Sequence, residues 1–175
     1  DRRLSPAPLA SFVQVNPAAA TLLRNHVFEA AAASSPSHLI DGYAGNGEIA
    51  IRLAQSGVRV TAIELDPEAS AWSSEHMPSG SHSIRGRVED VLMGELPADT
   101  VLLNPPRIGL DEGVPAILEN AEIKPARVIY TSCNPATLAR DVARMPSYEI
   151  VAMKSFDMFP QTAHVETVCE LVPAA

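Results

Sequence analysis

The most reactive side chain that the sequence offers is Cys133, in the run Ser132-Cys133-Asn134-Pro135. It follows an apolar stretch typical of a strand and precedes an Asn-Pro pair typical of a helix start, with Asn134 as the N-cap. A thiol at this position lies at the positive end of a helix dipole, which is expected to lower its pKa. A lone cysteine is more often a buried structural residue, so its assignment as a nucleophile depends on the surrounding motifs.

A carboxylate base is available farther along the chain, at Glu166 in the run His164-Val165-Glu166. If the last strand is antiparallel, its start lies at the same edge of the sheet as Cys133. A sulfur nucleophile and a carboxylate base are the minimum equipment for adding to an unreactive ring and then removing a proton from it.

The composition indicates a globular chain, with 46% hydrophobic and 19% charged residues among 175. No apolar run approaches the ~20 residues of a membrane span, so we expect no membrane association. The two cysteines form no disulfide framework or metal cluster, which favours a reducing, cytoplasmic setting. The net charge of −8 is unusual for a protein that grips nucleic acid, because phosphate contacts need a basic face.

The chain starts with Asp1 and has a proline-rich lead, residues 5–8. This pattern predicts a linker over residues 1–11 and one catalytic domain over residues 12–175. We therefore expect the chain to be a fragment from which an N-terminal partner region is missing.

Apolar runs alternate with helical patterns along the chain, which predicts an α/β fold. Strands are predicted at 38–41, 58–65, 81–85, 100–103, 126–131, 148–155 and 164–172. Helices are predicted at 17–32, 47–55, from 67, at 111–120 and at 135–145. Because the last two strands have no helix between them, the pattern predicts a Rossmann-like, mostly parallel seven-stranded sheet with one antiparallel strand and helices on both faces.

A glycine-rich turn, Asp41-Gly-Tyr-Ala-Gly-Asn-Gly47, follows the first strand. Its Gly-x-x-Gly-x-Gly spacing differs from the dinucleotide fingerprint and suits an adenosine-amino-acid ligand better than a pyrophosphate. Glu64, about twenty positions later, is placed to accept hydrogen bonds from ribose hydroxyls. Asn104, at the end of the fourth strand, offers an amide to cofactor or substrate, and the nearby Arg107 could pair with an acid such as Asp41.

With these motifs the chain closely resembles the catalytic domain of the S-adenosylmethionine-dependent RNA 5-methyluridine methyltransferases, from about Phe12 to Val172. The resemblance depends on runs that occur in the family's order: Phe12 to Asn16, Asp41 to Gly47, Ala62 to Asp66, Asn104 to Leu110, Ser132 to Leu138 and Phe159 to Glu166.

The resemblance implies a Rossmann-like methyltransferase fold, S-adenosylmethionine as cofactor, and methyl transfer to carbon 5 of a uridine in rRNA or tRNA, with rRNA favoured. It implies that Cys133 adds to carbon 6 of uracil and that Glu166 removes the carbon 5 proton. The residues implied in cofactor binding are Gln14, Tyr43, Gly45, Glu64 and Asn104.

The chain departs from the family pattern in residues expected to bind the cofactor and in the region expected to bind RNA. Asn104 stands where the family usually has Asp, and Glu48 stands where relatives often have Asn. The family's N-terminal RNA-binding domain is absent from the sequence. Arg140 and Arg144, after Cys133, are interpreted either as RNA contacts or as ordinary exposed helical charges.

Two other functions fit parts of the pattern. Asn104-Pro105-Pro106 resembles the motif of enzymes that methylate amino nitrogens, although Arg107 replaces the usual aromatic residue and that chemistry has no use for Cys133. The chain could also be a truncated cofactor-binding domain that is inactive without its RNA-binding region.

Overall fold

One mixed sheet of seven strands organises the chain. The computed structural model describes residues 16–158 and 165–174. Within these residues the strands are β1 His38–Gly42, β2 Arg59–Glu64, β3 His82–Arg85, β4 Thr100–Leu103, β5 Arg127–Ser132, β6 Tyr148–Phe156 and β7 Glu166–Pro173. The helices are α1 Pro17–Ala33, α2 Glu48–Gln55, α3 Pro67–His76, α4 Val88–Glu95, α5 Gly113–Asn120 and α6 Pro135–Val142.

The strand order is β3-β2-β1-β4-β5-β7-β6. Strands β1 to β5 pair in parallel, whereas β7 runs antiparallel to both of its neighbours, β5 and β6. The predicted fold class, a mostly parallel seven-stranded sheet with one antiparallel strand, is therefore confirmed.

Both faces of the sheet are covered by helices, as predicted. Neighbouring strand residues point to opposite faces: Leu39 packs with the apolar residues of α1 and α2, and Ile40 packs with those of α4, α5 and α6. Both side chains are fully buried. Burial on two faces explains why consecutive residues of β4 and β5 are apolar, with no alternation of polar and apolar residues.

Helix α4 was not predicted. It has eight residues, no side-chain hydrogen bond caps its N-terminus at Arg87, and Gly94 lies in its last turn. Its signal in the sequence is weak: Val88, Val91 and Leu92 follow helical spacing, and the first two lie next to the acidic first turn. Packing of Val88 and Leu92 in the core stabilises a helix that its local sequence specifies poorly.

Helix α6 begins as predicted. The side chain of Asn134 accepts a hydrogen bond from the Ala136 N–H at 3.0 Å, and Pro135 occupies the first turn. The helix ends at Val142, three residues before the predicted end, and Met145 is buried in the core beyond it. The start of α6 is the feature that positions Cys133, because the turn between β5 and α6 contains that residue.

We expect Asn134→Ala to lower the free energy of unfolding by about 1 kcal/mol, because it removes the capping acceptor of α6. Asn134→Ser retains a capping oxygen and should lower it by a few tenths of that amount. Urea unfolding measures both variants, and equal losses would show that the cap contributes nothing.

Candidate active site

The site lies where the strand order reverses, between β1 and β4. Parallel sheets bind ligands in the crevice outside the carboxyl ends of such strands. A central cavity of about 400 Å³ opens there, which is a size typical of small-molecule sites. Its lining comes from the ends of β1, β4 and β5, the loop after β1 and the inner face of α1: Pro17, Ala20, Leu23, Arg24, Val27, Asp41, Ala44, Gly45, Asn46, Glu48, Ile49, Leu102, Leu103, Asn104, Ile129 and Thr131.

The turn after β1, which we call the glycine loop (residues 43–47), forms one wall of the central cavity. Gly45 has φ +57° and a side chain on it would meet nothing within 4 Å, so the backbone faces open space there. Gly47 has φ +74° and an ideal Cβ would lie 2.3 Å from Ser73 Oγ. The backbone conformation therefore favours glycine at both positions, and at Gly47 the close approach to α3 leaves no room for a side chain.

Glu64, at the end of β2, supports the glycine loop. One carboxylate oxygen accepts the Gly45 N–H at 2.7 Å and the other accepts the Asp66 N–H at 2.8 Å. Each carboxylate oxygen has a second lone pair that could accept a further hydrogen bond. The contact of Glu64 with ribose hydroxyls therefore stays compatible with this geometry and stays a prediction.

The other predicted cofactor residues are placed differently. Asn104 and Gly45 line the central cavity, and the Asn104 N–H donates to Gly42 O at 3.3 Å. Tyr43 is half-buried, packs against the α4–α6 side of the core and is not among the lining residues that the structure describes. Gln14 lies outside the described residues. The roles of Tyr43 and Gln14 stay predictions.

Asp41 lines the central cavity and was not among the predicted site residues. Its side chain is 6% exposed, and burial, together with the charge of Glu64, raises its pKa to about 7. The sequence feature that could have indicated a site role for Asp41 is its position directly before the glycine-rich turn. An ionised Asp41 would be stabilised by a cationic ligand, because that charge would replace the lost hydration.

An ion pair at one side of the central cavity was also not predicted. Arg24 on α1 bonds Glu48 on α2 at 3.0 Å, and both side chains line the cavity. The sequence feature that could have indicated this ion pair is Arg24 itself, a charged residue on the apolar helix face formed by Ala20, Leu23 and Val27. The carboxylate that replaces the family's Asn is therefore balanced by a cation from the facing helix.

Cys133 and Glu166 are brought together, as the sequence predicted. Ser132 at the end of β5 pairs with Thr167 near the start of β7, so Cys133 and Glu166, the next residue of each segment, lie at the same edge of the sheet. The negative charge of Glu166 acts on the Cys133 thiol. Cys133 is partly exposed and Glu166 is 5% exposed. Thr131, two residues before Cys133, lines the central cavity, so the pair lies next to it.

The predicted low pKa of Cys133 is wrong. Burial and the negative charge of Glu166 raise the pKa of the thiol, and they outweigh the positive charge of Arg107 and a hydrogen bond from the Cys133 backbone, which lower it. The helix start alone therefore does not make Cys133 a thiolate. Burial also raises the pKa of Glu166, which makes this carboxylate a stronger base than an exposed one.

The residues fit an adenosine-amino-acid ligand of the size of S-adenosylmethionine. The cavity is large enough for this ligand, the glycine loop lets backbone atoms approach it, and Asp41 supplies a buried carboxyl group for a cationic centre.

None of the helices in the described part of the chain is long and apolar enough to cross a membrane.

Comparison with known proteins agrees with this site. A family model described as tRNA (uracil-5-)-methyltransferase matches residues 72–172. An uncharacterized RNA methyltransferase of Bacillus cereus is 38% identical over 173 residues, which cover 93% of this chain. The chain spans only 37% of the length of that relative.

Solved structures extend the comparison to the fold. The Pyrococcus abyssi tRNA (uracil-54, C5)-methyltransferase in complex with S-adenosyl-L-homocysteine has a TM-score of 0.76 and 30% identity, over 93% of this chain and 40% of that one. The N-methyltransferase NodS of Bradyrhizobium japonicum, with the same ligand, has a TM-score of 0.74 over 98% of this chain and 94% of its own. Its identity is 14%, so it shows the fold alone.

The stability of the domain should fall as the pH rises from 5 to 8, because of Asp41. Its folded-state pKa lies above the unfolded value, so its contribution is full below about pH 4 and is lost as the pH rises through about 7. Asp41→Asn should remove this part of the pH dependence, which linkage bounds at about 4 kcal/mol. Urea unfolding at several pH values measures it. Asp99→Asn is the control, since hydrogen bonds from Ser37 and His38 lower the pKa of Asp99 and it titrates below this window.

Glu166→Gln should speed alkylation of Cys133 by iodoacetamide at pH 7.5, by about twofold to fivefold, because loss of the negative charge lowers the thiol pKa. Cys169 is fully buried and should not interfere. Glu170→Gln, on the same strand and paired with Arg127, should leave the rate unchanged. A slower rate in Glu166→Gln would contradict the assigned electrostatics.

Proposed function

Because this chain belongs to the tRNA (uracil-5-)-methyltransferase family, we propose that it is the catalytic domain of an RNA methyltransferase that transfers a methyl group to carbon 5 of a uridine. The cofactor is S-adenosylmethionine, the methyl donor of the family, and the archaeal relative contains its demethylated product. The observation that carries the proposal is that Cys133 and Glu166, the neighbours of the paired Ser132 and Thr167, lie at one edge of the sheet beside the central cavity.

The residues that would hold the cofactor are those of the central cavity. The glycine loop offers backbone to the ligand, Glu64 fixes Gly45 in place, and Asn104 supplies an amide at the end of β4. Bound S-adenosylmethionine supplies an electrophilic methyl group on a sulfonium centre. Asp41 and Glu64 place negative charge at the same end of the sheet, which favours a cationic ligand.

Cys133 is the nucleophile of the proposed reaction. Carbon 5 of uracil is a poor nucleophile, and addition of a thiolate to carbon 6 makes an enolate with charge on carbon 5 and on the ring oxygen. Covalent addition thus divides one difficult step into easier ones. Because the thiol pKa is raised, the thiolate is the minor form of Cys133. The thiol loses its proton to solvent before the sulfur adds to carbon 6, and Arg107 is the nearby cation that favours the thiolate.

Glu166 is the base of the proposed reaction. After carbon 5 has been methylated it still bears its proton, and removal of that proton lets the carbon 6–sulfur bond break and releases the Cys133 thiolate. A buried carboxylate with a raised pKa suits this proton transfer, because its proton affinity lies closer to neutral pH. The turn between β5 and α6, which contains Cys133, is supported by a local hydrogen bond: Ser132 Oγ accepts the Asn134 N–H at 3.1 Å across it.

The proposed substrate is a uridine of RNA that has left its stack, since a stacked base cannot reach both Cys133 and the cavity. Whether the RNA is ribosomal, as the sequence favoured, or transfer RNA, as in the archaeal relative, stays a prediction. Because the chain spans 37% of a relative and has a net charge of −8, part of the RNA grip is expected from the rest of a longer protein.

Amino-group methylation is less well supported than uridine methylation. Asn104, the first residue of the Asn-Pro-Pro motif, lines the cavity, but nitrogen methylation gives no role to a cysteine at the same sheet edge as a buried carboxylate. The NodS similarity extends to the fold alone.

The test is trapping with 5-fluorouridine-substituted ribosomal and transfer RNA in the presence of S-adenosylmethionine. Fluorine at carbon 5 blocks the proton removal assigned to Glu166, so a denaturation-stable protein–RNA adduct should accumulate. Cys133→Ala should abolish the adduct and lower methylation of unsubstituted RNA at least about a thousandfold. Cys169→Ala is the matched control and should form the adduct normally.

An adduct that persists in Cys133→Ala would overturn the assignment of the nucleophile. Binding of S-adenosylmethionine is measured in parallel by calorimetry. Cofactor binding without adduct formation would support the alternative that the chain is a truncated domain, inactive without its RNA-binding region. Methylation that continues unchanged in Cys133→Ala would instead support amino-group chemistry.

A further inference from the structure

Asp141 is a buried carboxylate that the proposed chemistry does not use. It lies in α6, eight residues after Cys133, and is completely buried. Charged side chains are almost never fully buried unless they are paired. The hydrogen-bond and ion-pair partners of Asp141 therefore indicate which parts of the fold it connects.

Asp141 joins three parts of the fold. Its Oδ2 accepts the buried Leu110 N–H at 2.8 Å and the Tyr130 hydroxyl of β5 at 2.8 Å. Its Oδ1 is bonded by the Arg140 guanidinium at 2.8 Å and lies 3.6 Å from Arg144 Nη1. Arg140 and Arg144, which the sequence left open as RNA contacts or exposed charges, are thus half-exposed partners of a buried carboxylate.

The segment that Asp141 holds is residues 104–110, which we call the Arg107 loop. It begins at Asn104 on the wall of the central cavity, and its end is held by the bond from Leu110 to Asp141. Arg140 adds a second bond, from Nη2 to Ile108 O at 2.9 Å. The loop is therefore fixed to the helix that follows the nucleophile.

Gly109 shows how close the loop and α6 are. An ideal Cβ on Gly109 would lie 2.5 Å from Asp141 Oδ2 and 2.6 Å from Arg140 Nη2, and its φ is +86°. Only glycine allows the loop to reach the carboxylate in this conformation. The contact is therefore specified by the sequence at Gly109 as well as by the charge at Asp141.

The Arg107 loop matters to Cys133 because it contains Arg107. Among the described residues, the charged groups that act on the thiol are Glu166 on β7 and Arg107 on this loop, and they act in opposite directions. A cation favours a thiolate only if its distance is maintained, because the interaction weakens with separation and with hydration.

We propose that Asp141 is a positioning residue that holds the Arg107 loop against α6 and thereby keeps the Arg107 guanidinium near the Cys133 sulfur. The inference rests on the proposed function in that it treats Cys133 as the nucleophile. A merely structural Asp141 would change the stability of the domain without changing the reactivity of the thiol.

The experiment is the rate of Cys133 alkylation by iodoacetamide between pH 6 and 10, without RNA or cofactor, in Asp141→Asn, Arg107→Gln and the double variant. Loss of the positioned cation raises the thiol pKa, so each single variant should react about threefold to tenfold more slowly at pH 7.5. The double variant should react no more slowly than Arg107→Gln. The difference from wild type should shrink in about 1 M salt, which screens the charge.

Glu119→Gln is the matched control. Glu119 is a half-buried carboxylate on α5 that accepts the N–H and hydroxyl of Ser147, before the start of β6. Its substitution should lower stability and leave the alkylation profile of Cys133 unchanged. A profile that shifts in Glu119→Gln as much as in Asp141→Asn would overturn the proposal.

Gly109→Ala is a second variant that retains every charge while preventing the close approach of the loop. It should slow alkylation in the same direction as Asp141→Asn, and it decides the question if Asp141→Asn does not fold. A folded Gly109→Ala or Asp141→Asn with the wild-type profile would overturn the proposal. Because the assay measures only the thiol, failure of RNA methylation would leave its result intact.

Discussion

The reversal of one strand is the constraint on which the candidate active site depends. Strands β1 to β5 all run in the same direction, so their carboxyl ends form the cavity and bring Cys133 to its edge. Because β7 runs in the opposite direction, its amino end reaches that same edge and brings Glu166 close to Cys133. A parallel final strand would leave the carboxylate at the far end of the sheet, a strand length away from the sulfur.

Burial sets the chemistry of the three ionisable groups at this edge. The pKa values of Asp41, Cys133 and Glu166 are all raised, and loss of hydration is the largest cause for each. For Glu166 this makes a stronger base, whereas for Cys133 it works against formation of the nucleophile. The site therefore depends on positive charge, from Arg107 and from a cationic ligand beside Asp41, to balance the buried negative groups.

Two loops bring the chemistry together, and each is fixed by a carboxylate on a neighbouring element. Glu64 on β2 accepts the N–H of Gly45, and Asp141 on α6 accepts the N–H of Leu110. In both cases a charged acceptor satisfies a backbone donor that the loop itself does not pair, which helps each short loop to hold one conformation. Rigid supports of this kind keep reacting groups at a fixed separation.

The sequence alone determined the succession of strands and most helices along the chain, the glycine loop and the cap at Asn134, because these follow from local periodicity, turn chemistry and motif order. It also predicted that Glu166 lies at the same sheet edge as Cys133 if the last strand is antiparallel. Only the tertiary structure decided the direction of the thiol pKa shift, the helix α4, and the burial and partners of Asp41 and Asp141. Each of these depends on burial or on partners distant in the chain, such as Glu166 for Cys133 and Leu110 for Asp141, and desolvation cannot be read from neighbouring residues in a sequence.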